Sequence, residues 1–301
     1  MMSAVLTAVL VALLAIVIVQ QVVFNVCAGR ADTAEENLSS LQSQISEARQ
    51  TNDGLQTKTD KNYVKWRNAQ GLLACEGDES GKVCYITFDG GPSSEQTEEN
   101  LSILSEHGAV ATWFCMADEE DLSYLDLSLV STIEQQGSAV GILGWNESET
   151  YEFYWGTLDE YFEEDFDKAE KALESAAGHE IEICRFQGGS TKVAYYNSEL
   201  ADKLPKKILN SGYQYFDWNV SGEDGGKASA DKIADNVLSE AKKYAKTESP
   251  ICVQLHDDGG SENTTKALPE ILDGLEELGY SFEVLDKDTA GFYQRSIVSG
   301  G

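Results

Sequence analysis

The chain is poor in positive charge and in histidine. Only 22 of its 301 residues are Lys or Arg, against 52 Asp and Glu, for a formal net charge of −30. A nucleic acid is repelled by such a surface, and no basic stripe is present to release its counterions. Anionic wall polymers and acidic lipid surfaces are disfavoured for the same reason, which leaves neutral or cationic ligands. Histidine occurs three times, at 107, 179 and 256. The six cysteines show no C-x-x-C or other metal-ligand spacing. There is no P-loop, no dinucleotide fingerprint after a strand and no G-x-S-x-G nucleophile elbow. Disorder is excluded in turn, because 42% of residues are apolar and only 25% charged, ample for a packed core.

The charge is unevenly placed. Residues 1–80 carry a net −3 and residues 81–301 a net −27. No charged side chain occurs between Ser3 and Gly29, and Ala4 to Val19 is apolar apart from Thr7. About 24 such residues reach roughly 36 Å as a helix, enough to span a bilayer. Residues 1–29 are therefore expected to be a retained single-pass anchor. The rival reading is a signal peptide cleaved after Ala28, but the segment lacks a basic start and its apolar run is long. Arg30 alone follows the span among Asp32, Glu35 and Glu36, so charge does little to fix orientation. Cys27 follows the bulky Val26, which argues against a lipoprotein signal. Residues 30–80 read as a helical stalk and linker. Leu38, Leu41, Ile45, Ala48 and Leu55 sit at 3-4 spacing, while Asn52, Gly54, Thr59 and Asn62 weaken the seam to one fit for weak self-association.

The body, residues 81–292, alternates apolar runs with amphipathic stretches, leaving 293–301 as a tail. The expected strands are Val83–Phe88, Ala109–Cys115, Ala139–Leu143, Ile181–Phe186, Tyr213–Trp218, Ile251–His256 and Phe282–Leu285. Between them lie the expected helices Thr97–His107, Leu122–Gln136, Leu158–Ala177, Ala230–Lys246 and Thr264–Leu278. Seven strands alternating with amphipathic stretches imply an α/β fold with a parallel sheet, open or closed into a barrel. Such folds place their chemistry at the carboxyl ends of the strands. Cys84, Cys115, Cys184 and Cys252 fall on strands and read as small buried residues, leaving Cys75 as the candidate for an exposed thiol or bridge.

The unusual residues collect at those strand ends: Asp89-Gly90-Gly91-Pro92, Trp145-Asn146-Glu147, Arg185 through Ser190, Asp217-Trp218-Asn219 and His256-Asp257-Asp258. Together they offer a candidate base in Asp89, a guanidinium partner in Arg185 and a candidate acid in His256. Asp217 or Asp257 is placed to orient that acid. Ion pairs that merely cap strand ends are the competing reading. Residues 147–182 hold 13 acids against Lys168 and Lys171 and read as a solvated helix face. Trp145, Tyr151, Tyr154, Trp155 and Trp218 are candidates to ring the cleft mouth, where aromatic faces suit sugars.

These segments resemble the polysaccharide deacetylase family, the NodB-homology domain of carbohydrate esterase family 4, from Lys82 to about Phe292. Thr87-Phe88-Asp89-Gly90-Gly91-Pro92 stands where the family has T-F-D-D-G-P, and Ala111-Thr112-Trp113-Phe114 is similar to A-T-F-F. Arg185-Phe186-Gln187-Gly188-Gly189-Ser190 is similar to R-F-P-G-G-S of one bacterial branch. Tyr215-Phe216-Asp217-Trp218-Asn219-Val220-Ser221 and Leu255-His256-Asp257 match the remaining motifs. The resemblance implies a distorted seven-stranded (β/α) barrel. It also implies metal-dependent removal of N-acetyl groups from GlcNAc-type sugars, in peptidoglycan or a related polymer. It assigns the base to Asp89, its electrostatic partner to Arg185, the acid to His256 and tuning of that acid to Asp217. Trp145, Gly188, Gly189 and Trp218 fall at substrate-contacting positions.

The metal positions of the family do not survive. They are Gly90, Leu143 and Glu147, where the resemblance expects an Asp and two His. Zinc wants three N, O or S ligands, and Gly and Leu offer none. Without metal the attacking water keeps a pKa near 15.7 instead of about 7. The expectation is therefore a membrane-anchored, extracytoplasmic pseudoenzyme of the deacetylase fold, without metal cofactor, that binds or scaffolds a cell-envelope glycan. The alternative is an active N-deacetylase with a rearranged carboxylate site of Asp89, Glu147 and Asp257 or Asp258, suited to Mg²⁺ or Ca²⁺.

Overall fold

The computed structural model describes residues 81–146, 156–226 and 228–295, all within one compact unit, Trp66–Gly301. The expected anchor and stalk, Cys27, Cys75, Glu147, Tyr151, Tyr154 and Trp155 lie outside the described residues. Among the described residues no helix is long and apolar enough to cross a membrane.

Eight strands form one sheet: β1 (Val83–Asp89), β2 (Ala111–Met116), β3 (Ala139–Gly144), β4 (Ile183–Cys184), β5 (Gln214–Tyr215), β6 (Val220–Ser221), β7 (Ile251–His256) and β8 (Ser281–Phe282). Every pairing is parallel, in the order β5-β4-β3-β2-β1-β7-β6, with β8 on the first residues of β1. This is the cyclic order of a barrel cut between β5 and β6. The seven-stranded barrel expectation is thus corrected to a curled, open sheet of eight described strands. The added strand is β6, and the runs expected at Ile181–Phe186 and Tyr213–Trp218 shorten to two paired residues each. Their remaining residues leave the ladder to serve the site.

Alternation along the strands separates two layers. Cys84, Ile86 and Phe88 of β1 point outward into the large cluster shared with the helices, while Tyr85 points inward with Phe114, Met116, Leu143, Phe216, Cys252, Leu285 and Phe292. The four cysteines at 84, 115, 184 and 252 are free and buried. The outer layer is closed by α1 (Thr97–Glu106), α2 (Val130–Gln135), α3 (Leu158–Tyr161), α4 (Asp167–Ala177), α5 (Gly189–Tyr196), α6 (Ser198–Asn210), α7 (Ala230–Ala245) and α8 (Glu262–Glu277). Ile233, Ala234, Val237 and Ala241 of α7 and Leu268, Ile271, Leu272 and Leu275 of α8 supply the buried stripes. Each fully buried Leu or Ile contributes about 1.5–3 kcal/mol.

Two departures from the expected helices have local causes. The stretch expected at Leu122–Gln136 is helical only from Leu127, beginning as a 3-10 turn capped by Asp126. The helix expected at Leu158–Ala177 starts on a Thr157–Glu160 capping box, and between α3 and α4 the segment Phe162–Phe166 widens to π geometry. That widening carries the buried Asp165 inward, where its Oδ1 accepts the Trp145 amide at 2.7 Å, just past β3.

Candidate functional site

The site forms where β1 and β7 end side by side. Asp89 is paired in register with His256, and Thr87 with Gln254. Because alternate residues share a face, Thr87 and Asp89 from β1 and Cys252, Gln254 and His256 from β7 all look into the curl.

Arg185, just past β4, crosses the interior and holds the two sides together. Its Nη1 donates to Asp89 Oδ1 and to Thr87 Oγ1, each at 2.7 Å. Its Nε donates to the Phe216 carbonyl at 2.9 Å, and Nη2 to the Asp217 carbonyl at 3.2 Å and to Cys252 Sγ at 3.3 Å. The guanidinium lies 4.2 Å from the Phe114 ring centre and 5.3 Å from that of Trp218. Arg185 and Asp89 are 0% and 6% exposed at their side chains, so this is a buried ion pair whose desolvation is offset by many hydrogen bonds. Burial works against the Arg185 charge, and Asp89, Cys252 and Asp217 together outweigh it, so that its pKa is raised.

His256 has a carboxylate partner that the sequence motifs do not reveal. Asp224, in the loop after β6, accepts from His256 Nδ1 at 2.8 Å and from the His256 backbone amide at 2.7 Å. Thr264 Oγ1 of α8 donates to the same carboxylate at 2.8 Å. Burial lowers the imidazole pKa, but Asp224, then Asp89 and Asp258, push it up to about 10. The Asp224 carboxyl is correspondingly lowered by the imidazole and its hydrogen bonds, against its own burial.

The two residues expected to orient His256 are engaged elsewhere. Asp217 accepts from the Ser190 amide and hydroxyl at the start of α5 and from the Gln294 amide, while its carbonyl receives Arg185. Burial pushes its carboxyl pKa up, with those hydrogen bonds opposing. Asp257 turns outward, where Thr97, Trp113 and Asn100 donate to it, and burial raises its pKa to about 7. It ties α1 to β2 and β7.

The expected sugar contacts are split. Trp218 packs on the inner cluster against Arg185, whereas Trp145 packs on the outer one, with its carbonyl accepting from the Asp118 amide at 3.0 Å. Gly188 and Gly189 adopt φ of +70° and +81°. A Cβ on Gly189 would stand 3.0 Å from Gln294 Oε1, 3.1 Å from the Trp218 ring and 3.2 Å from Asp217 Oδ1. The double glycine thus lets the backbone pass beneath Trp218. Gln294 extends this arrangement past residue 292, bonding Thr191 and the Trp218 carbonyl.

The residues present do not fit the zinc site that the resemblance implies. Gly90 has no side chain, and Leu143 is buried in the inner apolar cluster. Among the described residues no three His, Cys, Asp or Glu converge to hold a metal. His107 bonds the Ile103 carbonyl and pairs with Asp273, and His179 pairs with Glu134, both away from the rim.

A parallel, curled α/β sheet carrying a buried carboxylate–guanidinium pair and a carboxylate-backed imidazole on one rim defines the class: an α/β fold with groups of the acid–base type at its strand ends. Comparison with known proteins narrows the class. Residues 76–206 match the polysaccharide deacetylase family model. A peptidoglycan-N-acetylglucosamine deacetylase of Bacillus cereus is 27% identical over 215 residues, spanning 69% of this chain and 71% of that protein. A chitooligosaccharide deacetylase of Rhizobium leguminosarum is 26% identical over 227 residues, spanning 69% and 94%. A polysaccharide deacetylase structure from Bacillus cereus superposes with a TM-score of 0.56 at 28% identity, covering 68% of this chain and 92% of that one. The catalytic domain of a peptidoglycan N-acetylglucosamine deacetylase from Eubacterium rectale shares the fold, with a TM-score of 0.61 at 24% identity, covering 74% and 97%. Over residues 76–206 the chain matches the polysaccharide deacetylase family model, and beyond that it is similar in sequence and fold to these deacetylases.

The sequence motifs did not point to Asp224, Gln254 or Gln294 as site residues. Asp224 lies in a loop outside any family motif, and Gln294 in the segment read as tail. Gln254 carries one readable signal: it is a polar residue on the inward phase of an otherwise apolar strand, where branched aliphatics are the rule.

Proposed function

We propose that this chain is a deacetylase-family domain that engages a cell-envelope glycan of the GlcNAc type without metal-dependent turnover. In this reading the N-terminal segment holds it at the membrane and its body lies outside the cytoplasm. The observation that carries it is the pairing of an intact Asp89–Arg185 and Asp224–His256 framework with Gly90 and Leu143 at two of the three ligand positions. The names of the relatives, which act on peptidoglycan and chitooligosaccharide, support the glycan class. Within this site Arg185 holds the Asp89 carboxyl in place at 2.7 Å, Asp224 holds the His256 ring in place, and Trp218 offers an apolar face at the mouth.

A second reading rests on one contact. A Cβ on Gly90 would lie 3.4 Å from Asp258 Cβ, so a carboxylate from the neighbouring loop stands beside the vacated position. Asp258 Oδ1 is occupied by Ser261 Oγ at 2.6 Å and the Gly260 amide at 2.9 Å, which favours a loop-capping role over ligation. The test is glycan binding by the full chain, followed calorimetrically with GlcNAc oligomers before and after chelator treatment. The proposal predicts binding that is unchanged by the chelator and weakened at least tenfold by Trp218→Ala, about 1.4 kcal/mol or more. Binding abolished by the chelator contradicts it.

A further inference from the structure

Asp165 lies fully buried beneath the exit of β3. A carboxylate is costly to bury, so its place there has a cause beyond packing. The widened turn Phe162–Phe166 faces both Asp165 and Phe166 inward, and Asp165 Oδ1 accepts the Trp145 amide at 2.7 Å. The residue before Trp145 leaves room for this contact. A Cβ on Gly144 would stand 2.9 Å from Asp165 Oδ1, 3.1 Å from its Oδ2 and 2.9 Å from Gln187 Nε2. Gly144 is not among the glycines of left-handed φ, so space, and not backbone strain, excludes a side chain there.

From Asp165 a run of hydrogen bonds crosses the rim. The Trp145 carbonyl accepts from the Ala117 amide at 3.3 Å and the Asp118 amide at 3.0 Å, in the loop after β2. The Asn146 side chain donates to Asp118 Oδ2 at 3.2 Å and to Asp121 Oδ2 at 3.0 Å. Next to Ala117, the Met116 amide donates to the Gly91 carbonyl at 3.0 Å, and the Gly90 amide to the Phe114 carbonyl at 3.1 Å. The run thus joins the exits of β3, β2 and β1, ending at the corner that follows Asp89. Two of the positions where the resemblance expects metal ligands border it, and Gly90 and Leu143 offer no ligand atom. These strand ends are therefore tied to one another by protein groups.

We propose that Asp165 is a positioning residue: it fastens the exit of β3 where the family positions for a metal are vacated. It holds the Trp145 amide and, through the Trp145 carbonyl, the loop after β2, and so sets the rim beside Gly90 and Gly91. The inference deepens the reading of this rim as the glycan site and rests on it. Asp165 acts as an acceptor of fixed position, so an amide of the same shape can replace it. Gly144 belongs to the same device, because a methyl group there pushes the carboxylate away from Trp145.

A positioning carboxylate and a merely stabilising one differ in where damage falls. Hydrogen exchange of the full chain is read by mass spectrometry in the wild type, Asp165→Ala, Asp165→Asn and Gly144→Ala. D165A is expected to speed exchange at the Trp145, Ala117 and Asp118 amides at least about tenfold, the loss of one hydrogen bond to a charged acceptor. The amides of β7 should stay as slow as in the wild type. D165N is expected to restore slow exchange, and G144A to reproduce the effect of D165A. Acceleration spread evenly over the chain, unchanged Ala117 and Asp118 amides, or D165N as fast as D165A overturns the proposal. Should D165A fail to fold, G144A carries the test, and unchanged exchange at Trp145 overturns the proposal. Binding of GlcNAc oligomers is followed on the same samples, with loss in D165A and recovery in D165N expected. Undiminished binding in D165A overturns the proposal as well. A wild type that binds no glycan defeats the functional reading, while the exchange pattern still decides whether Asp165 fastens the rim.

Discussion

At the residue scale, Asp224 sets the charge of His256. Its carboxylate takes both the ring Nδ1 and the backbone amide of the same residue, and it is fully buried at its side chain while the imidazole is 32% exposed. The folded-state pKa of about 10 lies above the ordinary histidine value near 6.5. The sign follows from linkage: folding binds the proton more tightly, so the stabilisation is complete below about pH 6.5 and is lost as pH rises through about 10. Thermal melts of the wild type minus those of Asp224→Asn should therefore show an advantage at pH 6 that shrinks steadily towards pH 10. An advantage that grows with pH would contradict the assignment of this pair.

At the scale of elements, two of the two-residue strands do the most for the site. β4 and β5 pair over two residues each, and the chain beyond them is spent on Arg185 and on the carbonyls of Phe216 and Asp217 that receive it. The Gly188-Gly189 turn then starts α5, with Asp217 accepting the first free amide. Gly189→Ala meets both a left-handed φ and three contacts at 3.0–3.2 Å. A loss of at least about 1–2 kcal/mol in urea denaturation is expected, together with weaker glycan binding as Trp218 is displaced. Full stability in this variant would show that the turn is free to open. The same elements mark what was legible in the sequence. The long strands β1, β3 and β7 and helices α1, α7 and α8 read directly from periodicity, and Asp89, Arg185 and His256 from their places at strand ends. β6 and the loop bearing Asp224 did not, because two paired residues carry no periodicity and a Gly-rich loop carries no pattern. The break in the Leu158–Ala177 helix was equally silent, since a π turn keeps helical composition.

At the scale of the whole molecule, the net charge of −30 acts on both stability and ligand choice. Like charges repel across a compact body, and salt screens them over about 10 Å at 0.1 M. The melting temperature should accordingly rise between 10 mM and 300 mM NaCl; a fall would mean that attractive surface pairs outweigh the repulsion. The central claim is that a body similar to polysaccharide deacetylases pairs Asp89 with Arg185 and His256 with Asp224 and acts without a metal. It is tested most directly by measuring metal content and acetate release on one sample of the full chain. GlcNAc oligomers serve as substrate after incubation with zinc, cobalt, manganese or magnesium. The account predicts substoichiometric metal and no acetate above background, whereas one bound metal per chain with acetate released on turnover would contradict it.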